Sequence, residues 1–135
     1  MTNFQLLLDL FAKAPMKATF GMTLTYNEMG EAIFQMPYQE KFNHSLGDTH
    51  GGVIATLLDN AGWFTVAAHY QKWVVTADLQ TRILEPAGRK NLIATGHIIR
   101  AGNTLAVAQM EVRLEDGKLI ATASGSFMVT SKPVS

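Results

Sequence analysis

One continuous stretch, HGGVIATLLDNAGWFTVAAH at residues 50–69, limits the folds open to this chain more than any other. From residue 53 to residue 68 it has no proline, and only Asp59, Asn60 and two threonines interrupt the apolar and small residues. This length and continuity favour a buried helix over a strand. The stretch is too short and too interrupted to span a bilayer. We therefore predict a long central helix over residues 52–68.

A helical period divides this segment into two faces. The apolar arc contains Val53, Ile54, Leu57, Leu58, Ala61, Phe64 and Ala68. The opposite stripe contains Gly52, Ala55, Thr56, Asp59, Trp63 and Val66. A carboxylate in a segment that otherwise excludes charge costs free energy unless another group pairs with it or the protein uses it. Asp59 is therefore our first candidate catalytic residue.

The start of the predicted helix carries few side chains. Residues 45–52 are polar and turn-rich, with Asp48 or Thr49 placed to cap the first turn, and Gly51 and Gly52 follow at once. Glycine lets a ligand approach backbone N–H groups closely. A helix start also presents unpaired N–H donors and a positive partial charge. With a carboxylate about two turns further along, this start predicts a site that polarises a carbonyl and directs a nucleophile.

Composition narrows the class of protein. The 135 residues suit one domain, residues 1–135. Charged residues make up only 16%, which predicts a surface partly covered by another copy. Because 11 basic residues balance 11 acidic ones, we expect neither a nucleic acid nor a membrane as partner. There is no cysteine and no signal-peptide pattern, so we expect a cytoplasmic location.

The rest of the chain predicts one short helix and six strands. Residues 3–14 read as an amphipathic helix that Pro15 ends. The predicted strands cover residues 20–26, 31–36, 73–84, 91–100, 104–114 and 119–130. The last four have hairpin-length connections and predict an antiparallel meander. The fold class is therefore α+β, a long central helix wrapped by a curved antiparallel sheet of about six strands, whose open edges invite a second copy.

The order of elements, together with GDTHGGV at residues 47–53 and LDN at residues 58–60, resembles one known family. It is similar to the hotdog-fold acyl-CoA thioesterases of the phenylacetate-degradation (PaaI-like) type. The resemblance runs from residue 18 onward and is densest over residues 43–63. It implies a single hotdog domain that hydrolyses an acyl- or aryl-acyl-CoA thioester to the free acid and coenzyme A. No cofactor is then required, because coenzyme A is part of the substrate.

The resemblance assigns roles to residues of the central helix. Asp59 matches the family's catalytic carboxylate, which acts as a nucleophile or as a general base on water. Gly51 matches the glycine whose N–H binds the thioester oxygen, and Gly52 beside it keeps the approach open. In the family each pocket takes this glycine from one subunit and the carboxylate from the other. A homodimer or a dimer of dimers is therefore implied.

Further residues follow from the same resemblance. Asn43 resembles an upstream asparagine that positions the carbonyl or the water, but residues 43–47 are one residue longer than the usual N-x-x-G. Either the loop bulges or His44 takes this place. Thr76 matches a Ser/Thr position that can orient the attacking water. Arg100 and Asn103 lie in a turn that the resemblance places along coenzyme A.

Two other functions remain open from the sequence. We interpret His50 as a structural residue, but an acid–base role for it would fit a hotdog hydratase or dehydratase acting on acyl thioesters. A non-catalytic acyl-CoA-binding sensor is the second alternative. We expect no metal, because His44, His69 and His97 lack partners at metal-ligand spacing.

Overall fold

The computed structural model of the protein describes residues 2–134. The helices in this range are α1 (Phe4–Ala12), α2 (Pro15–Phe20) and α3 (Gly51–Tyr70), with a 3-10 turn at Glu40–Phe42. The strands are β1 (Thr23–Tyr26), β2 (Ala32–Met36), β3 (Lys72–Ile83), β4 (Leu92–Ala101), β5 (Leu105–Leu114) and β6 (Leu119–Pro133). None of the helices found between residues 2 and 134 is long and apolar enough to cross a membrane.

The six strands form one antiparallel sheet in the order β1-β2-β4-β5-β6-β3. The 20-residue helix α3 packs against β2, β3, β4, β5 and β6, so the sheet wraps around it. The predicted α+β architecture of a long helix wrapped by an antiparallel sheet of about six strands is confirmed. The two open edges are β1 and β3.

The position of β3 corrects the predicted meander of four strands. Only β4, β5 and β6 follow one another across the sheet, and β3 pairs with β6 at its far edge. The strand β4 already has β2 on one side and β5 on the other, so it has no free edge for β3. The chain between β3 and β4 therefore crosses the sheet and does not form a hairpin.

The N-terminal region also differs from the prediction. Pro15 does end the first helix, but it occupies the first turn of a second one, α2. Proline suits this position, because its missing N–H would be unpaired there anyway. Gly21 ends α2 with a φ of 67°, a conformation that favours glycine, and β1 begins only at Thr23. The first two helices thus form a corner over one side of α3.

Close contact with the sheet fixes the orientation of α3. A Cβ atom added to Gly96 of β4 would lie 2.5 Å from the carbonyl oxygen of Ala61. The buried Thr65 hydroxyl accepts a hydrogen bond from the Ala32 N–H at 2.9 Å and donates to the Ala61 carbonyl at 2.7 Å. Val66, which the helical period places on the stripe opposite the apolar arc, is fully buried. The sheet encloses so much of the helix that this half of α3 is buried almost all round.

We expect Gly96→Ala to lower the free energy of unfolding by about 1–3 kcal/mol, because the new methyl group meets a backbone carbonyl and not a movable side chain. Urea denaturation measures this loss. Ser124→Ala, at an exposed position of β6, is the control and should change the value by less than about 0.5 kcal/mol. Equal small effects in both variants would contradict the close helix–sheet contact.

Candidate active site

Asp59 lies in the middle of α3 at the wall of a largely apolar cavity of about 400 Å³. We call this space the acid cavity. It is lined by Leu10, Phe11, Lys13, Ala14, Met16, Asp59, Asn60, Trp63, Phe64 and Trp73. The volume is within the range of small-molecule sites. A carboxylate on an otherwise apolar wall is the feature that the sequence singled out.

The Asp59 carboxylate has one hydrogen-bond partner in a neighbouring strand. The Thr76 hydroxyl on β3 donates to its Oδ1 at 2.8 Å. Burial raises the pKa of the Asp59 carboxyl above its ordinary value, and this hydrogen bond lowers it in part. The result is a more basic carboxylate than one in water, held in one orientation. These are the properties needed to remove a proton from water or to attack a carbonyl.

The start of α3 differs in detail from the predicted cap. The N-cap is His50, whose Nδ1 accepts the Gly52 N–H at 2.8 Å, so neither Asp48 nor Thr49 caps the helix. This bond places the ring proton of neutral His50 on Nε2. The Gly52 N–H is thus already bonded. Among residues 2–134, the Gly51 N–H has no acceptor.

A second cavity of about 450 Å³ lies at this helix start, and we call it the glycine cavity. It is lined by His44, Leu46, Asp48, Thr49, Gly51, Ile54, Ile83, Leu84, Glu85, Pro86 and Ala87. A Cβ atom on Gly51 would meet only the Ile83 side chain, at 3.7 Å. A ligand can therefore approach the Gly51 N–H closely.

In the loop before α3, Asn43 and His44 are the two candidates for the family's upstream asparagine, and their surroundings differ. The amide of Asn43 donates to the Tyr38 hydroxyl at 2.6 Å, and Asn43 lines neither cavity. His44 lines the glycine cavity, and its Nδ1 accepts the Leu46 N–H at 3.0 Å. Neutral His44 thus carries its proton on Nε2 and has one N–H to offer a ligand. Of the two residues, only His44 lines the glycine cavity in one chain, and which of them fills the asparagine position stays a prediction.

Arg100 and Asn103 lie at the other end of α3 from Gly51. Arg100 is in β4 and Asn103 follows that strand, next to Gly102, whose carbonyl accepts the Tyr70 hydroxyl at 2.5 Å. Tyr70 is the last residue of the helix. Within one chain these residues touch neither cavity, and their coenzyme A contact stays a prediction.

Possible metal ligands are a separate question. Among the described residues, no group of three or more His, Asp or Glu side chains is placed to hold a metal ion.

Within one chain the acid cavity and the glycine cavity are separate. Gly51 and Asp59 are eight residues apart on α3, which is about 12 Å along the helix axis. No residue lines both cavities. One chain therefore brings Asp59 to Thr76 but does not bring either to Gly51.

Several lining residues of the acid cavity were absent from the sequence prediction. Residues of α1, of α2 and of the corner between them form one wall, and Trp73 adds to it from β3. The proline at the first turn of α2 was the available signal for this corner. The sequence carries no signal for which face of α1 contacts α3, because that face is decided by tertiary packing.

The fold defines the class of protein. The PaaI protein from the phenylacetic acid degradation operon of Escherichia coli has the same architecture, with a TM-score of 0.90 over 96% of this chain and 94% of that chain, at 18% identity. A structural match at this level of sequence identity supports a shared fold and nothing further. The protein therefore has the hotdog fold, as the sequence predicted.

Sequence comparison then identifies the family. Residues 46–121, more than half of the chain, match the thioesterase superfamily. The medium/long-chain acyl-CoA thioesterase YigI of Escherichia coli K12 is 30% identical over 132 residues, 85% of each chain. Acyl-coenzyme A thioesterase 13 of Homo sapiens is 29% identical over 103 residues, 74% of each chain. The chain belongs to the thioesterase superfamily, and at that level the expected thioester hydrolase is confirmed.

The raised pKa of Asp59 predicts a pH-dependent effect of Asp59→Asn on stability. Below about pH 3 the side chain at residue 59 is neutral in both the wild type and Asp59→Asn, since an ordinary aspartate titrates near pH 3.9. As the pH rises from the unfolded-state pKa through the higher folded-state pKa, the wild type loses stability because it must ionise a partly buried carboxyl, whereas the variant does not. We expect Asp59→Asn to be the more stable protein at pH 7, with the difference vanishing at low pH.

Urea denaturation of both proteins across this pH range measures the difference. Thr76→Val is the matched variant, because it keeps the carboxyl but removes its hydrogen bond. It should be less stable than the wild type at neutral pH. A stability gain of Asp59→Asn that is the same at every pH would contradict the role of ionisation.

Proposed function

We propose that the protein hydrolyses an acyl-CoA thioester to a free acid and coenzyme A. The observation that carries the proposal is that one helix holds both a partly buried carboxylate and, at its first residue, an N–H donor without an acceptor among residues 2–134, in a chain of the thioesterase superfamily. The printed names of two relatives, both acyl-CoA thioesterases, support acyl-CoA as the substrate. The reaction needs no cofactor.

Asp59 removes a proton from water as the water attacks the thioester carbonyl carbon, or attacks that carbon itself. In either case the carbonyl π electrons move to the oxygen, and the resulting oxyanion accepts the Gly51 N–H. The carbonyl then re-forms as the C–S bond breaks, and coenzyme A leaves as a thiolate. On the water route this step gives the free acid, and the proton taken by Asp59 passes to solvent. On the direct route it leaves an anhydride between the acyl group and Asp59, which a water hydrolyses to release the acid and restore the carboxylate. Thr76 holds the carboxylate in place throughout. A thiolate is a good leaving group, so the reaction does not require a strong general acid.

We further propose that each site is shared between two copies of the chain. The 12-residue edge strand β3 begins near Trp73, which lines the acid cavity, and ends at Ile83, which lines the glycine cavity. Antiparallel pairing of two β3 strands puts the start of one beside the end of the other. The acid cavity of one copy then meets the glycine cavity of the other, twice per dimer.

The same pairing supports the coenzyme A contacts. The turn after β4 lies near the start of β3, because Leu105 and Val75 both pair with Met128. In a β3-paired dimer this turn, with Arg100 and Asn103, approaches the glycine cavity of the other copy. A coenzyme A bound at that cavity would then reach both residues.

Hydration chemistry has less support than hydrolysis. A hydratase of this fold normally pairs a histidine with a carboxylate, but Nδ1 of His50 already binds the Gly52 N–H. Thiol release from a saturated acyl-CoA distinguishes the two reactions, since a hydratase cannot release thiol from it.

Gly51→Pro tests the N–H donor. Proline is favoured at the first helical position, and His50 already has the extended backbone (ψ 138°) that precedes proline, so the helix should persist. The variant lacks only the proposed donor and should lose about 10²–10³-fold in kcat. Gly51→Ala, which keeps the N–H, is the control. Equal rates in the two variants would exclude oxyanion binding by this group.

A mixed dimer tests the shared site. Asp59→Asn and Gly51→Pro chains with different affinity tags are co-expressed, and the heterodimer is isolated by two successive purifications. Each variant alone should be reduced about 10²-fold or more. In the heterodimer one site carries both changes and the other carries neither, so about half of the wild-type kcat per dimer should return. A heterodimer as inactive as its parents would place the whole site in one chain.

A further inference from the structure

We propose that the acid cavity receives an unsubstituted hydrocarbon acyl chain and that the corner between α1 and α2 sets the longest chain accepted. The inference rests on the proposed function, because it assigns the acyl group to the cavity beside Asp59. It goes further by naming the class of acyl group and the residues that select it. Ala14 and Met16 at the corner are the proposed length-determining residues.

The wall of the acid cavity has few polar groups to offer a substituted acyl group. The Asn60 amide donates to the Thr56 carbonyl at 2.8 Å, and the Trp63 indole N–H donates to the Val74 carbonyl at 2.8 Å. Lys13 is exposed, so its ammonium marks the side where the cavity opens to water. Apart from Asp59, which the reaction uses, and the remaining side-chain amide groups of Asn60, a hydroxyl or a carboxylate inside the cavity would face apolar side chains and lose its hydration. The lining therefore selects hydrocarbon.

The volume of the acid cavity favours a linear acyl chain over an acyl group with a single aromatic ring. A cavity of about 150 Å³ suffices for benzene, with six carbons. The acid cavity, at about 400 Å³, is more than twice as large. One ring would leave much of it unfilled and would forgo the contacts that the remaining wall offers. By the same ratio of carbon to volume, the cavity holds a chain of at most roughly sixteen carbons.

The corner of α1 and α2 forms the wall opposite α3. Phe11 and Phe64 close the inner side with their rings 5.5 Å apart, and Ala14 and Met16 line the cavity at the corner itself. Ala14 contributes only a methyl group, and its extended backbone (φ −74°, ψ 126°) accepts larger side chains. Met16 is long and flexible. Changing the size of either side chain should change the space available for the far end of the acyl chain.

The test uses saturated acyl-CoAs from butyryl to octadecanoyl and one aryl substrate, phenylacetyl-CoA. For the wild type we expect kcat/KM to rise roughly fourfold per methylene, the equivalent of about 0.8 kcal/mol, until the cavity is full. Phenylacetyl-CoA should be slower than decanoyl-CoA. Rates that do not depend on chain length, or a preference for the aryl substrate, would overturn the inference.

Two variants should move the length limit in opposite directions. Ala14→Trp should lower the ratio of the tetradecanoyl to the hexanoyl rate at least tenfold, and Met16→Ala should raise the rates of the longest chains relative to shorter ones. Ala18→Trp, at an exposed position of α2 outside the cavity, should leave the profile unchanged. The same profile in all three variants would show that the corner does not select chain length.

Binding to Asp59→Asn separates this inference from the proposed reaction. Isothermal titration of this variant with hexanoyl-, decanoyl- and tetradecanoyl-CoA should give a Kd that falls with chain length, and adding Ala14→Trp should abolish the gain for the longest chain. Length-dependent binding without thiol release by the wild type would refute hydrolysis but keep the acyl site. Thiol release with length-independent binding would refute the acyl site alone.

Discussion

The contact between α3 and the sheet is the constraint on which the site depends. Gly96 lets the strand β4 approach the Ala61 carbonyl, and the Thr65 hydroxyl ties the helix to β2. These contacts fix the rotation of α3 about its axis. That rotation in turn decides that Asp59 faces the apolar cavity and Thr76, while the first turn presents Gly51 to another cavity. A rotated or displaced helix would separate the carboxylate from its hydroxyl partner.

The proposal that two copies share each site rests on the position of β3. The strand is long, lies at an edge of the sheet and has a cavity near each of its ends. An unpaired edge of this length exposes backbone groups that a second strand can satisfy. A two-fold pairing would use this edge to stabilise the dimer and, with the same hydrogen bonds, to bring the acid cavity of one copy to the glycine cavity of the other. The partly buried carboxylate of Asp59 would then lie beside the proposed interface.

Much of the fold could be predicted from the sequence because its signals are local. The apolar run at residues 50–69 predicts α3, and alternating residues with clear turns predict the six strands. The neighbour of β3 had no local signal, since strand order depends on contacts far apart in the chain. The second helix was missed for a different reason: Pro15 was interpreted only as the end of α1, although proline also begins helices. His50 was missed as the cap because histidine is not a usual capping residue.

The sequence by itself determined which chemical groups the site can use: one carboxylate in an apolar helix, a glycine pair at its start and a threonine on the following strand. The carboxylate and the glycine pair are visible in the chain because each departs from its local pattern, whereas the threonine follows only from the family resemblance. Only the tertiary structure decided how they combine. It bonded Thr76 to Asp59, gave the Gly52 N–H to His50, placed His44 in the cavity beside Gly51 and formed one cavity wall from the α1–α2 corner. Such pairings depend on the packing of elements distant in sequence, and packing is decided by the whole core at once.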